Sequence, residues 1–402
     1  MNKLKKLMSF LLFAAIVFLP AFSCRAKTVS SECDISDVAV PISDAPATSP
    51  VTVEARSAVL IEPNTLTVLY ENNPDEQLPP ASITKIMSLV LIMEAIDRGD
   101  FTTEDVVTAS EHAAGMGGSQ IWLKAGESMT VDDLLKAAVI ASANDATVAL
   151  AEKTAGSEEE FVRRMNEKAA ALGMTGTVFK NATGLDAEGH LSTAHDVALM
   201  SAELLKHPLI KKYSTVWMDT LRDGESELVN TNKLVRFYEG TTGLKTGTTS
   251  TAGYCLSASA QRDDLELVAV IMGGDSSAAR FEGAKKLLDY GFANFSFSRI
   301  KPDFENGTKI KVSGGTEREV PLTAEGELGI LIRKSDKGDI NQKVVLDDTL
   351  TAPVSEGERV GRVEIYSGDT LLGTVDITAK KSVRKLTFFA AFLRVLAALF
   401  TP

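Results

Sequence analysis

A serine hydroxyl becomes a useful nucleophile only when a base stands beside it. In Ser82-Ile83-Thr84-Lys85 a lysine follows a serine by three residues, just past the pair Pro79-Pro80. Residues three apart on a helix share a face, so Lys85 can lie over the Ser82 hydroxyl. Lysine serves as a base only if its neutral form is accessible, which burial and a neighbouring cation both favour. Two further motifs follow in order. Ser142-Ala143-Asn144 offers a hydroxyl to relay a proton and an amide to hold a substrate amide. Lys245-Thr246-Gly247 offers a cation and a hydroxyl for a peptide carboxylate, next to a glycine that lets backbones approach closely. Lys245 is also a cation able to favour the neutral form of Lys85.

The S-x-x-K spacing recurs at Ser298–Lys301 and Ser382–Lys385, so it selects nothing by itself. Only Ser82 is followed by both other motifs, and only Ser82 opens a strong helical pattern. Other chemistries find little support. His112, His190, His195 and His207 form no H-E-x-x-H, no G-x-S-x-G elbow occurs, and Cys24, Cys33 and Cys255 have no metal-type spacing. No metal and no cofactor are expected; the histidines read as surface or structural groups, and Cys255 as a small buried hydrophobe.

The elements that must position these residues come next. Proline suits a helix start, and Ile86, Leu89, Val90, Met93 and Ile96 recur at helical spacing behind the Pro79-Pro80 pair. The stretch from Thr130 to Ala155 reads as a helical region carrying Ser142 and Asn144 on a connection. Ser157 with Glu160 reads as a capping box opening a helix to about Leu172, and a further helix spans about 193–205. Two hairpins are expected, 57–61 with 66–70 around Pro63-Asn64, and 253–260 with 265–272. Lys245-Thr246-Gly247 then falls just ahead of a strand, and Ser277 to about Ala293 closes the region as a helix. Strands at both ends of a helical middle point to an α+β domain rather than alternating βαβ units. From about Lys301 short strands at 309–312, 328–332, 343–346, 362–365 and 371–377 suggest a small β-sandwich or barrel.

The chain has 402 residues, 44% hydrophobic and 24% charged, with a net charge of −12, which argues against nucleic-acid binding. Lys3, Lys5 and Lys6, then the apolar run Leu7–Leu19 and small residues around Ser23 and Ala26, read as an export signal over residues 1–26. Residues 27–53 read as a flexible linker, 54–300 as the catalytic domain and 301–380 as a β-rich domain. After Asp376 no acidic residue occurs, while Lys380, Lys381, Arg384, Lys385 and Arg394 are basic. Leu386, Phe388, Phe389, Phe392, Leu393, Val395, Leu396, Leu399 and Phe400 fill one half of a helical wheel. Residues 381–402 therefore read as an amphipathic helix lying on an anionic membrane surface.

With these motifs the chain resembles the low-molecular-weight penicillin-binding proteins, specifically the serine D-Ala-D-Ala carboxypeptidases, from about Ala55 to Lys380. The likeness includes Pro80-Ala81-Ser82-Ile83-Thr84-Lys85-Ile86-Met87, Asn181-Ala182-Thr183-Gly184-Leu185, Gly243-Leu244-Lys245-Thr246-Gly247-Thr248-Thr249 and the stretch Ala284–Phe292. It implies a penicilloyl-serine transferase fold of the β-lactamase/transpeptidase kind, an antiparallel sheet flanked by helices. It also implies acylation of Ser82 by the penultimate D-Ala carbonyl of a peptidoglycan stem ending in D-Ala-D-Ala, release of terminal D-Ala, then hydrolysis. β-Lactams would be covalent inhibitors, the backbone N–H groups of Ser82 and Thr248 the oxyanion hole, and Arg280 a residue near the substrate carboxylate. The implied location is extracytoplasmic, on the outer face of the cytoplasmic membrane. A class A β-lactamase would carry a glutamate with Leu and Asn three and four residues on, and no E-x-x-L-N lies between Ser142 and Lys245. A D,D-endopeptidase shares the fold, whereas a non-catalytic cell-wall scaffold would have no need of Lys85.

Overall fold

The structure, a computed structural model, describes residues 51–336 and 339–393; the stretch read as an export signal, the expected linker up to Pro50 and the tail beyond Leu393 lie outside the described residues. The chain enters as a hairpin of β1 (Ala55–Glu62) and β2 (Thr67–Asn72), with Leu60 opposite Tyr70. Its turn is closed by the buried Glu62, whose carboxylate accepts the backbone N–H groups of Asn64 and Thr65. The hairpin joins β3 (Thr241–Thr249), β4 (Gly253–Arg262) and β5 (Leu265–Gly274) in an antiparallel sheet of order β2-β1-β5-β4-β3. The strand reached last therefore pairs with the strand made first.

The apolar character of β4 and β5, interrupted only by the buried Ser257 and Ser259 and by Glu266, follows from burial on both faces. Side chains alternate across a strand. Val268, Val270 and Met272 pack into one core with Val59 and Ile61, and Leu267, Ala269 and Ile271 pack into another with Ala58 and Leu60. The first core is filled by α1 (Lys85–Asp97), α2 (Val131–Ile140), α3 (Asn144–Ala155), α4 (Glu158–Ala171) and α5 (Ala194–Leu205). The second is closed by α6 (Ser277–Asn294), through Phe281, Leu287 and Leu288. This is the α+β architecture with helices on both faces of an antiparallel sheet.

Helix starts follow local chemistry. Thr130, Ser157, Thr193 and Ser276 each accept a backbone N–H three residues on, satisfying donors that a helix start leaves orphaned. The capping box at Ser157 is only half built: the Glu160 carboxylate turns to Arg163 and Arg164. The region expected to be helical from Thr130 to Ala155 breaks between α2 and α3, because Ser142 has φ +62°, a left-handed conformation an α-helix does not accommodate.

β6 (Phe295–Ile300) runs straight on from α6 and pairs antiparallel with the later strand Leu328–Arg333. Phe295, Phe297 and Leu331 belong to the core beneath α6, so the β-rich region is continuous with it. Beyond lie β7 (Lys309–Ser313), β8 (Glu319–Thr323), β9 (Leu328–Arg333), β10 (Ile340–Leu346), β11 (Thr349–Thr351), β12 (Arg359–Ser367) and β13 (Thr370–Ala379). Six of them form a sheet of order β10-β12-β13-β8-β7-β11 over a core of Ile310, Val320, Leu322, Val363 and Ile377. The sequence pattern missed β6, β8 and β11: β6 continues a helix without a turn, β8 contains Pro321, and β11 is three residues long. After Val383, buried beside Val354, the chain turns helical from Phe388 to Leu393.

Candidate active site

Between Pro80 and α1 the chain makes one turn of 3-10 helix, Ala81–Thr84, with the Ile83 N–H donating to the Pro80 carbonyl at 3.2 Å. The sequence places Ser82 at the start of an α-helix; it stands instead in this tighter turn. Three residues per turn eclipses positions three apart, so the expected alignment is closer still. Lys85 Nζ lies 3.0 Å from Ser82 Oγ and donates to the Thr183 carbonyl at 2.8 Å. Lys85 is wholly buried, whereas Ser82 retains partial exposure. Burial, and then the charge of Lys245, hold the Lys85 amine well below the ordinary lysine range, against the opposing pull of Asp145.

The break between α2 and α3 places Ser142 in its left-handed turn and Asn144 at the first position of α3. Asn144 Nδ2 donates to the Gly117 carbonyl at 2.7 Å, and its backbone N–H to the Ser119 carbonyl at 2.7 Å. Ser142 Oγ and Asn144 Oδ1 are buried and make no hydrogen bond among the described residues. Buried polar groups are costly without a partner, and these two oxygens, on either side of Ala143, are free to form a further hydrogen bond.

Lys245-Thr246-Gly247 does not precede a strand, as its sequence position suggests; it lies inside β3, the edge strand of the sheet. A Cβ on Gly247 would stand 2.8 Å from the Pro80 carbonyl and 3.1 Å from Ile83 N, so the glycine lets this strand run directly against the Ser82 turn. Lys245 is buried, and desolvation together with Arg280 brings its amine down to about 7. Arg280 is not the solvated charge its place at a helix start would suggest. It is buried behind β3, where Nη1 donates to the Gly247 carbonyl (3.0 Å), Thr248 Oγ1 (2.8 Å) and the Cys255 carbonyl (3.2 Å). Thr246 Oγ1 donates to Thr231 Oγ1 at 2.7 Å, and Thr231 N–H to the Ile140 carbonyl, which ties β3 to the end of α2 just before Ser142. Cys255 is buried, its thiol pushed up by desolvation.

Three contributors shape the site without being motif residues and escaped the search for nucleophiles and bases. Asn181 Oδ1 accepts the N–H groups of Thr183 and Gly184, folding the loop that presents the Thr183 carbonyl to Lys85. Gly184, at φ +86°, presses this loop onto Ala81: a Cβ there would stand 1.8 Å from the Ala81 carbonyl oxygen. The buried Asp145 carboxylate gathers the N–H groups of Ile121 and Leu123 and so shapes the loop against Asn144. Only the stretch Asn181–Leu185, by its family likeness, hinted at the first two of these.

The chain matches the family profile described as D-alanyl-D-alanine carboxypeptidase over residues 44–276, and the penicillin-binding protein 5 C-terminal domain over 299–385. It is 42% identical over 357 residues to a D-alanyl-D-alanine carboxypeptidase (DacF) of Bacillus subtilis, covering 88% of this chain and 92% of that protein. Penicillin-binding protein 5 of Haemophilus influenzae has a similar structure, with a TM-score of 0.73 at 30% identity over 84% of this chain and 100% of that one. Penicillin-binding protein D2 of Listeria monocytogenes, solved in its ampicillin-bound form, gives a TM-score of 0.56 at 30% identity over 61% of this chain and 100% of that one.

Gly184→Ala drives a methyl group into backbone that cannot swing aside. We expect the rate of acylation by benzylpenicillin to fall by about 100-fold, the scale of a 1 Å misplacement of reacting groups; an unchanged rate by stopped-flow would contradict this packing. Lys245→Met tests the electrostatics. Removing a cation beside Lys85 makes its protonated form easier to keep, so its pKa rises and the acid limb of the acylation pH profile moves to higher pH. A limb that stays in place or moves to lower pH would refute the coupling.

Proposed function

The chain belongs to the D-alanyl-D-alanine carboxypeptidase family, and within its D-Ala-D-Ala carboxypeptidase activity we propose that Ser82 is the nucleophile and Lys85 its base. The observation that carries this reading is the 3.0 Å approach of a wholly buried amine to the Ser82 hydroxyl. An amine kept neutral can take the Ser82 proton as Oγ attacks the penultimate D-Ala carbonyl of a peptidoglycan stem. The C–N bond then breaks, terminal D-Ala leaves with a proton on its nitrogen, and an ester remains on Ser82. Water attacks that ester, the bond between the acyl carbon and Oγ breaks, the shortened stem leaves as a carboxylate, and Ser82 regains its hydroxyl.

Ser142 Oγ, buried and unpaired, is our choice for handing the proton to the departing nitrogen, and Asn144 Oδ1 for accepting a substrate N–H. The backbone N–H groups of Ser82 and Thr248 are assigned to the oxyanion. Lys245, Thr246, Gly247 and Thr248 would receive the terminal carboxylate along the free edge of β3, where an extended peptide can add as one more strand. Arg280 supports them from behind through Gly247 and Thr248. A β-lactam would acylate Ser82 by the same route, as the ampicillin-bound Listeria relative suggests.

We place the protein outside the cytoplasm, held to the membrane by residues 381–402. Support comes from the basic run Lys380, Lys381, Arg384 and Lys385, and from the exposure of Phe388 (88%), Phe389 (69%), Phe392 and Leu393. The same exposure argues against a helix docked on the β-rich region.

Incubation with a diacyl-L-Lys-D-Ala-D-Ala peptide should release D-Ala, and Ser82→Ala should abolish release while the protein stays folded; continued turnover by the variant would remove Ser82 from its role. Penicillin should give a persistent adduct, and rapid hydrolysis would favour a β-lactamase. Truncation after Lys385 should move the protein from sedimenting with anionic vesicles to the supernatant; unchanged sedimentation would exclude the tail as the anchor.

A further inference from the structure

Thr84 sits between Ser82 and Lys85 but points the other way. The 3-10 turn groups Ser82 with Lys85 on one face and Ala81 with Thr84 on another. Thr84 is wholly buried, and its Oγ1 lies 2.9 Å from Nε2 of His190. His190 Nδ1 accepts the Lys180 N–H at 3.3 Å, which leaves the ring proton on Nε2, so His190 donates to Thr84. Burial holds the ring neutral, with its pKa down at about 4, which suits this tautomer. The ring itself is fixed: the His190 N–H bonds the Ala187 carbonyl, Phe179 packs edge-on at 5.9 Å, and Val178 bridges Leu191 across the base of the loop.

The same loop thus grips the Ser82 turn at three points. Gly184 abuts Ala81, the Thr183 carbonyl takes the Lys85 amine, and His190 holds Thr84 from the side away from Ser82. The first two set how close the loop comes and hold the amine itself; the third anchors the turn at Thr84, between Ser82 and Lys85 in the chain, on the face away from both. We propose that His190 is a positioning residue for acylation, acting through Thr84 to keep Lys85 aligned on Ser82. It touches no reacting atom.

This inference rests on the assignment of Ser82 and Lys85, and fails separately from it: loss of that assignment shows in Ser82→Ala, loss of this one only in His190 and Thr84 variants. The experiment is benzylpenicillin acylation of the full chain, resolved into the non-covalent dissociation constant and the acylation rate constant. His190→Ala and the near-isosteric Thr84→Val should each lower the rate constant about tenfold or more, with the dissociation constant within about twofold, since alignment rather than binding is lost. The double variant should be no slower than the worse single one, because both remove one contact. His190→Gln, which keeps a donor for Thr84, should recover most of the rate. A wild-type rate constant in Thr84→Val, losses that multiply in the double variant, or a weakened dissociation constant that accounts for the whole effect would each overturn the proposal. Should His190→Ala not fold, Thr84→Val and His190→Gln decide it by the same criteria.

Discussion

Lys85 is a lysine with no exposed surface, and a buried ammonium is costly unless the surroundings compensate or the group gives up its proton. Here the surroundings push toward the neutral amine. Desolvation acts first, Lys245 adds like charge, and the amine still finds two oxygens, Ser82 Oγ and the Thr183 carbonyl. The rest of the fold can be understood as what keeps that amine dry and aimed. Helix α1 is buried on nearly every side, which removes water from behind Lys85. The Asn181–Leu185 loop caps it, and β3 brings a second buried cation close on the sheet side.

That second cation ties the helical core to the sheet edge. Lys245 is itself lowered by burial and by Arg280, so Arg280 acts on Lys245 and Lys245 in turn on Lys85. Arg280 and the protonated fraction of Lys245 supply positive potential beside β3, and among the described residues neither motif lysine forms a salt bridge. Exposed ion pairs such as Arg163 with Glu160 or Arg98 with Asp100 contribute little by comparison, since solvent screens them. Two close backbone approaches hold the geometry: Gly247 against Pro80 and Gly184 against Ala81. At both positions a side chain would separate the elements that carry the chemistry.

The local grammar of the chain was largely legible. Hairpins declared themselves by turns between apolar runs, and helix starts by Ser157 as a cap and by the patterns opening near Thr130, Thr193 and Ser277; Thr130, Thr193 and Ser276 also prove to be caps. Where reading by pattern failed, a tertiary contact had overruled local preference. The α2–α3 region is helical by composition, yet Ser142 adopts φ +62° between the two helices. Lys245-Thr246-Gly247 looks like turn residues, but pairing with β4 makes it strand.

From the amino-acid order alone came the chemical parts: a serine and lysine three apart, Ser142 and Asn144, Lys245-Thr246-Gly247, and a basic, apolar tail. Spacing along a helix is short-range, so the chain order alone puts Ser82 and Lys85 on one face, while their final alignment draws on contacts around the turn. What the tertiary structure decided was every relation across long separations. It made β3 the edge strand against the Ser82 turn, put Arg280 behind Gly247 rather than in solvent, and set the Thr183 carbonyl, Gly184 and His190 around residues about a hundred positions earlier. Those contacts join backbone oxygens, glycines and buried neutral rings, groups whose roles depend on what is packed against them rather than on what they are.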